Sequence, residues 1–194
     1  MIKKLVVMSL MFLLVGIGVA RAEGTEVHPI QLSLFNPVQL YPETTSVEYF
    51  RWNFLYGANV DVRGLDIGLV NKTTGVERGL QLGFVNSNAQ DFHGWQQGLV
   101  SINEGTGESI GVASGFVSYI NGDMSGVQWG SVNVTKGVFH GVQVGVVNYA
   151  NDMHGLQFGF VNVAEKIDGI MIGLVNVNQS KDPFYVLPFV NGKF

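Results

Sequence analysis

The chain has 194 residues, with 11 lysines and arginines against 15 aspartates and glutamates, a formal net charge of −4 and no cysteine. No basic patch is present, which excludes the electrostatic footprint of nucleic-acid binding, and the absence of cysteine excludes disulfide staples. Charged residues make up only 13% and apolar residues 46%, a balance that suits apolar residues alternating along the chain rather than clustering.

The first 22 residues read as a secretory leader. Lys3 and Lys4 precede an apolar run from Leu5 to Val19, and Ala20-Arg21-Ala22 fits the small-x-small cleavage rule. The run is short for a membrane-spanning helix. Cleavage before Glu23 would leave a mature chain of 172 residues with 8 basic and 15 acidic groups. Residues 23–194 are expected to form a single β-repeat domain. Its repeats run from about 62 to 177, with flanking strands over 30–58 and 183–194.

Ile30 to Leu40 alternates Ile30, Leu32 and Leu34, although Pro29, Pro37 and Pro42 restrict it to an edge or an irregular segment. Ser46 to Tyr56 is aromatic and β-prone. Eight copies of one phrase follow: Gly, apolar, any, usually apolar, Gly, usually apolar, Val, then Asn or Ser. They open at Gly64, Gly79, Gly94, Gly111, Gly126, Gly141, Gly155 and Gly169, in steps of 15, 15, 17, 15, 15, 14 and 14 residues. A fixed period this short means one structural unit laid down repeatedly. Tyr185 to Phe194 could supply a last strand, weakened by Pro188.

Each copy alternates with period 2 and reads as strand. Two glycines in ten residues would cost a helix about 2 kcal/mol relative to alanine. One face carries rows such as Leu156, Phe158 and Phe160. Across all copies 21 of its 24 central positions are apolar, with Gln97, Ser114 and Ser131 as the exceptions. The other face carries glycine, then Gln81, Gln96, Gln128, Gln143 or Gln157, then glycine and valine. Asp66, Ala113 and Met171 replace the glutamine in the remaining copies.

Two architectures absorb such repeats. The favoured one is an up-and-down β-barrel of about 10–12 strands in which neighbouring copies run antiparallel. A membrane-spanning strand needs about 9–11 residues, and an apolar outside with a polar lumen is the barrel pattern. The terminal Phe194 fits it. A charge at Phe158 should then abolish assembly, whereas a charge at Gln157 should be tolerated, because the glutamine face is expected to meet water in either architecture. The alternative is a parallel β-solenoid with 14–15-residue coils, whose recurring Asn and Gln side chains would stack as amide ladders. Against it, a Leu-Phe-Phe wall needs an opposing wall about 10 Å away, and the linkers offer only single large residues such as Phe92, Met124, Phe139, Met153 or Ile167.

The phrases Gly79-Leu-Gln-Leu-Gly-Phe-Val-Asn86 and Gly155-Leu-Gln-Phe-Gly-Phe-Val-Asn162, with Gln31-Leu-Ser-Leu-Phe35 and Asn53-Phe-Leu-Tyr-Gly57 before them, resemble the bacterial surface-repeat proteins first named in Leptospira. The resemblance covers most of the mature chain. It implies export to the outer membrane or cell surface of a Gram-negative bacterium, and no known reaction. Copies 3 and 4 depart from it, with Ser101 and Ser118 in the Asn place and a longer linker between them.

No catalytic constellation appears, and the chain reads as a non-enzyme without a cofactor. His93, His140 and His154 each precede a repeat glycine, but no recurring carboxylate set accompanies them as metal ligands would require. Ser101, Ser114, Ser118, Ser125 and Ser131 lack a matching His/Asp arrangement. The glycine-rich segments lack the Gly-Lys-Ser/Thr ending of a phosphate loop. Asp66, Glu77, Glu104 and Glu108 read as solvated. The glutamine row is the candidate ligand-binding or lumen-lining surface, against a structural ladder as the simpler reading. The leading function is an outer-membrane β-barrel, structural or weakly pore-forming, in contact with outer-membrane lipid. The alternative is a surface-exposed solenoid for binding or adhesion, with the identity of any protein or glycan partner open.

Overall fold

The computed structural model describes residues 25–180, 183 and 185–193. The expected leader, its cleavage site and Phe194 lie outside the described residues. The fold is all-β: β1 (Val27–Phe35), β2 (Val38–Gln39), β3 (Ser46–Asn59), β4 (Val62–Thr73), β5 (Glu77–Asn88), β6 (Phe92–Asn103), β7 (Glu108–Ile120), β8 (Asp123–Asn178) and β9 (Val186–Lys193). One sheet joins them in the order β2-β1-β3-β4-β5-β6-β7-β8-β9. The long β8 is continuous extended backbone that winds through the last four copies.

The copies run parallel, not antiparallel. Gly64 pairs with Gly79, Leu65 with Leu80, Asp66 with Gln81 and Asn71 with Asn86, and the same register recurs through β5, β6, β7 and the start of β8. The molecule is therefore a parallel β-solenoid, and the barrel expectation is corrected. Side chains supply the reason. The Asn71 amide donates to Asn86 Oδ1 at 3.0 Å and to the Leu82 carbonyl at 2.9 Å. Asn133, Asn148, Asn162 and Asn176 repeat that link at 2.7–2.8 Å. Like residues meet this way only if every copy points in the same direction.

The wall problem is solved by turning the wall outward. Four inward ladders fill the coil: the residue two before the first glycine, the residue two after it, the Asn/Ser position, and the residue two beyond that. In the copy of β6 these are Phe92, Gln96, Ser101 and Asn103, all buried. The inward phase shifts between Gln96 and Ser101, an odd spacing that marks the change of direction within the coil. The single large linker residues are enough because they share one core: Met124, Phe139, Met153 and Ile167 follow one another in successive copies, Ser109 stands between Phe92 and Met124, and all five large residues belong to one buried cluster with Met171.

Glycine at the first repeat position is dictated by contact. Gly79 has φ 131°, a backbone region that L side chains rarely adopt, and a Cβ there would lie 2.0 Å from the Gly64 carbonyl oxygen. The second glycine makes room for the amide ladder: a Cβ on Gly83 would lie 2.6 Å from Asn71 Nδ2 and 2.7 Å from Asn86 Oδ1. The 17-residue step places its extra residues between Asn103 and Glu108, and register resumes with Gly94 opposite Gly111.

The strands at the two ends of the stack depart from the repeat. The proline-bearing segment forms the edge pair β1–β2, with β1 parallel to β3. At the other end β9 runs antiparallel to the last copy, Gly169 opposite Lys193 and Val177 opposite Val186. A reversed strand thus ends the parallel series.

Candidate functional site

The sequence-derived candidates Gln81, Gln96, Gln128, Gln143 and Gln157 come together, but in the interior. All five are fully buried. Gln96 donates to Gln81 at 2.8 Å, Gln143 to Gln128 at 2.5 Å and Gln157 to Gln143 at 2.7 Å. The break between Gln96 and Gln128 falls at Ala113, and Gln128 turns to the Ser118 hydroxyl at 3.1 Å. Buried amides of this kind are stable only when paired. The row is a hydrogen-bonded ladder that solvent does not reach.

Two of the carboxylates expected to be solvated are buried as well. Asp66 replaces glutamine in the ladder and binds Arg51, with Nε–Oδ1 at 2.7 Å and Nη2–Oδ2 at 2.6 Å. Arg51 also donates to the Lys72 carbonyl and to Thr73 Oγ1. Burial alone would lower the guanidinium pKa, but the charge of Asp66 and its hydrogen bonds outweigh this and hold it above its ordinary value. Glu77 lies beside this pair and accepts from Thr73 Oγ1 at 2.9 Å. Burial first, and then the Asp66 charge, push its carboxyl well above the usual range, against an opposing pull from Arg51. The cluster is structural: it fills the core of the early coils, where later coils place glutamine at the Asp66 position and mostly large apolar residues such as Phe92 and Met124 at the Glu77 position. Glu104 and Glu108 are exposed.

His140 and His154 stack with ring centroids 4.7 Å apart. His154 lies 3.2 Å from Asp152 and 3.7 Å from Asp168. His93 occupies the equivalent place in an earlier copy, half-buried. Among the described residues no group of three or more His, Asp or Glu gathers as a metal site.

The surface that the fold does present is the apolar face. Phe84, Leu99, Phe116, Val146, Phe158, Phe160 and Leu174 are exposed, although together they are as apolar as a protein core. Six of them form one column, five residues after the first glycine of their copies, and Phe158 stands in the column beside it. Because neighbouring strands in a sheet lie about 4.8 Å apart, the columns make one continuous wall. Apolar patches of more than a few hundred Å² on a soluble surface mark interaction sites.

One open groove of about 770 Å³ interrupts the wall across the second to fifth copies. It arises because small or polar side chains stand where the columns otherwise carry large apolar ones. Register sets Gln97 beside Ser114, Ser114 beside Trp129, and Gly115 beside Gly130. Phe84, Trp95, Phe116 and Trp129 rise around this floor. Trp95 Nε1 donates to Ser114 Oγ at 3.0 Å, which fixes the indole. The sequence signal was present in the three polar exceptions Gln97, Ser114 and Ser131. Their convergence became visible only once the copies were stacked in parallel.

Fold and surface together define a class: a parallel β-solenoid with an amide-laddered core and an apolar outer wall. No family model, no curated protein and no solved structure matches this chain.

Proposed function

We propose that this protein is an exported, surface-exposed binding or adhesion module that engages its partner through the outer wall of the solenoid, without catalysis. The observation that carries this reading is the wall itself, with 21 of 24 central positions apolar and its largest residues turned to solvent. Such a surface opposes solubility unless something covers it. Export is supported by the Lys3/Lys4, apolar-run and Ala20-Arg21-Ala22 pattern, and placement at the outer membrane or cell surface by the resemblance to surface-repeat proteins. The amide core supports binding over pore formation, because among the described residues the inward side chains are buried and fill the coils.

The test is association with the cell envelope. Purified mature protein should sediment with washed envelopes of a Gram-negative host, and Phe158→Asp/Phe160→Asp should abolish sedimentation while keeping the β-sheet circular dichroism. Equal sedimentation of the variant, or no sedimentation of the native protein, would overturn the reading.

A further inference from the structure

We infer that the groove across the second to fifth copies is a binding site for a neutral glycan, taking pyranose rings against Trp95 and Trp129. This rests on the reading of the wall as a binding face and names the ligand chemistry of one part of it.

Three observations converge. First, all three polar exceptions on the outer wall, Gln97, Ser114 and Ser131, line this one groove, together with both tryptophans of the repeats. Elsewhere the wall is uniformly apolar. A surface meant only for lipid or for an apolar protein face gains nothing from polar groups at its centre, since desolvating them unpaired is unfavourable. Second, no ionisable residue lines the groove. A charged ligand would lose hydration there without gaining a counter-charge, so the occupant is neutral. Third, the site has the mixed chemistry a sugar needs. Trp129 is 67% exposed, and its ring has a negative face that attracts the polarised C–H groups on the apolar side of a pyranose.

The polar floor serves the hydroxyls. Gln97 offers both a donor and an acceptor, and Ser131 a hydroxyl that does either. Neither side chain is bonded to another described residue, whereas Ser114 is held by Trp95 Nε1 and by the Gln96 carbonyl at 3.3 Å. Ser114 therefore anchors Trp95, and Gln97 and Ser131 are left for the ligand. Gly98, Gly115 and Gly130 keep the floor low. The volume lies within the roughly 300–1,000 Å³ of small-ligand sites, and the groove is open, as an oligosaccharide that continues beyond the site requires.

The experiment titrates the mature protein with maltoheptaose, cellohexaose and chitohexaose, following tryptophan fluorescence and isothermal calorimetry. The inference expects saturable binding of at least one of them, weakened at least tenfold by Trp129→Ala. A second variant, Ser131→Phe, restores the large apolar residue of the repeat and fills the groove while making the wall more apolar. It should abolish sugar binding. Apolar docking would instead be preserved or strengthened by Ser131→Phe. No binding to any of the three sugars, or sugar binding indifferent to both substitutions, overturns the inference. So does a groove-dependent partition into phosphatidylethanolamine/phosphatidylglycerol vesicles in place of sugar binding. Envelope sedimentation that persists while sugar binding fails removes the glycan assignment and leaves the wall reading intact; loss of sedimentation itself removes the wall reading.

Discussion

Arg51 grips Asp66 with two hydrogen bonds of 2.7 and 2.6 Å at a depth where neither side chain touches water. The pair occupies two successive rungs at the position that five later copies fill with glutamine. Breaking such a pair from one side leaves a buried charge without a partner, at about 3–5 kcal/mol. Asp66→Asn should therefore lower stability by about that amount in urea unfolding. Replacing both residues with apolar ones of similar volume should cost far less. Equal losses in the single and double variants would show that the pair is not the unit of stability.

Glu77 gives the protein a pH dependence of definite sign. Its carboxyl is raised well above the ordinary range, first by burial and then by Asp66, so folding favours the protonated form. Below the unfolded carboxylate pKa of about 4.3 the group is protonated in both states and carries no penalty. As pH rises from there toward the folded value, the unfolded chain ionises first and the native state loses stability. Glu77→Gln should remove this contribution. The variant's urea midpoint should exceed that of the native protein at pH 8 and approach it at pH 4. A constant difference across that range would refute the assignment.

Charge tolerance should be the reverse of the expectation that the glutamine face meets water, since that face is buried. Phe158 is 52% exposed while Gln157 is fully buried and donates to Gln143 at 2.7 Å. Phe158→Arg should fold with native-like circular dichroism, whereas Gln157→Lys should unfold the chain by placing an unpaired ammonium in the ladder. Thermal melts of the two variants decide it.

Parallel stacking is open to direct cross-linking, because the chain has no native cysteine. A Cβ on Gly155 would approach the Gly141 carbonyl oxygen at 2.1 Å, and Asn148 bonds Asn162, so Val144 and Phe158 stand on adjacent rungs of the outer wall. Val144→Cys with Phe158→Cys should oxidise readily to an intramolecular disulfide, since strands about 4.8 Å apart fall within the separation a disulfide spans. Efficient bridging of Val147→Cys to Gly155→Cys in its place would restore the antiparallel meander.

The sequence by itself determined the period, the strand character of each copy and the division into a glycine-amide face and an apolar face. These are local properties: alternation is read along one strand, and glycine punctuation marks its repeat. It also identified the amide ladder as one of two outcomes. The direction of neighbouring copies was decided by tertiary structure alone. Both a meander and a solenoid satisfy the same alternation, and the choice depends on side chains 15 residues apart in sequence, such as Asn71 and Asn86, meeting at 3.0 Å. The same step buried Asp66 and Glu77, because stacking set Arg51, one period of 15 residues earlier, against Asp66 and brought Thr73 to Glu77. It also gathered Trp95, Gln97, Ser114, Trp129 and Ser131 into one groove. They lie in three different copies, and parallel register, acting through backbone pairing between coils, is what places them side by side.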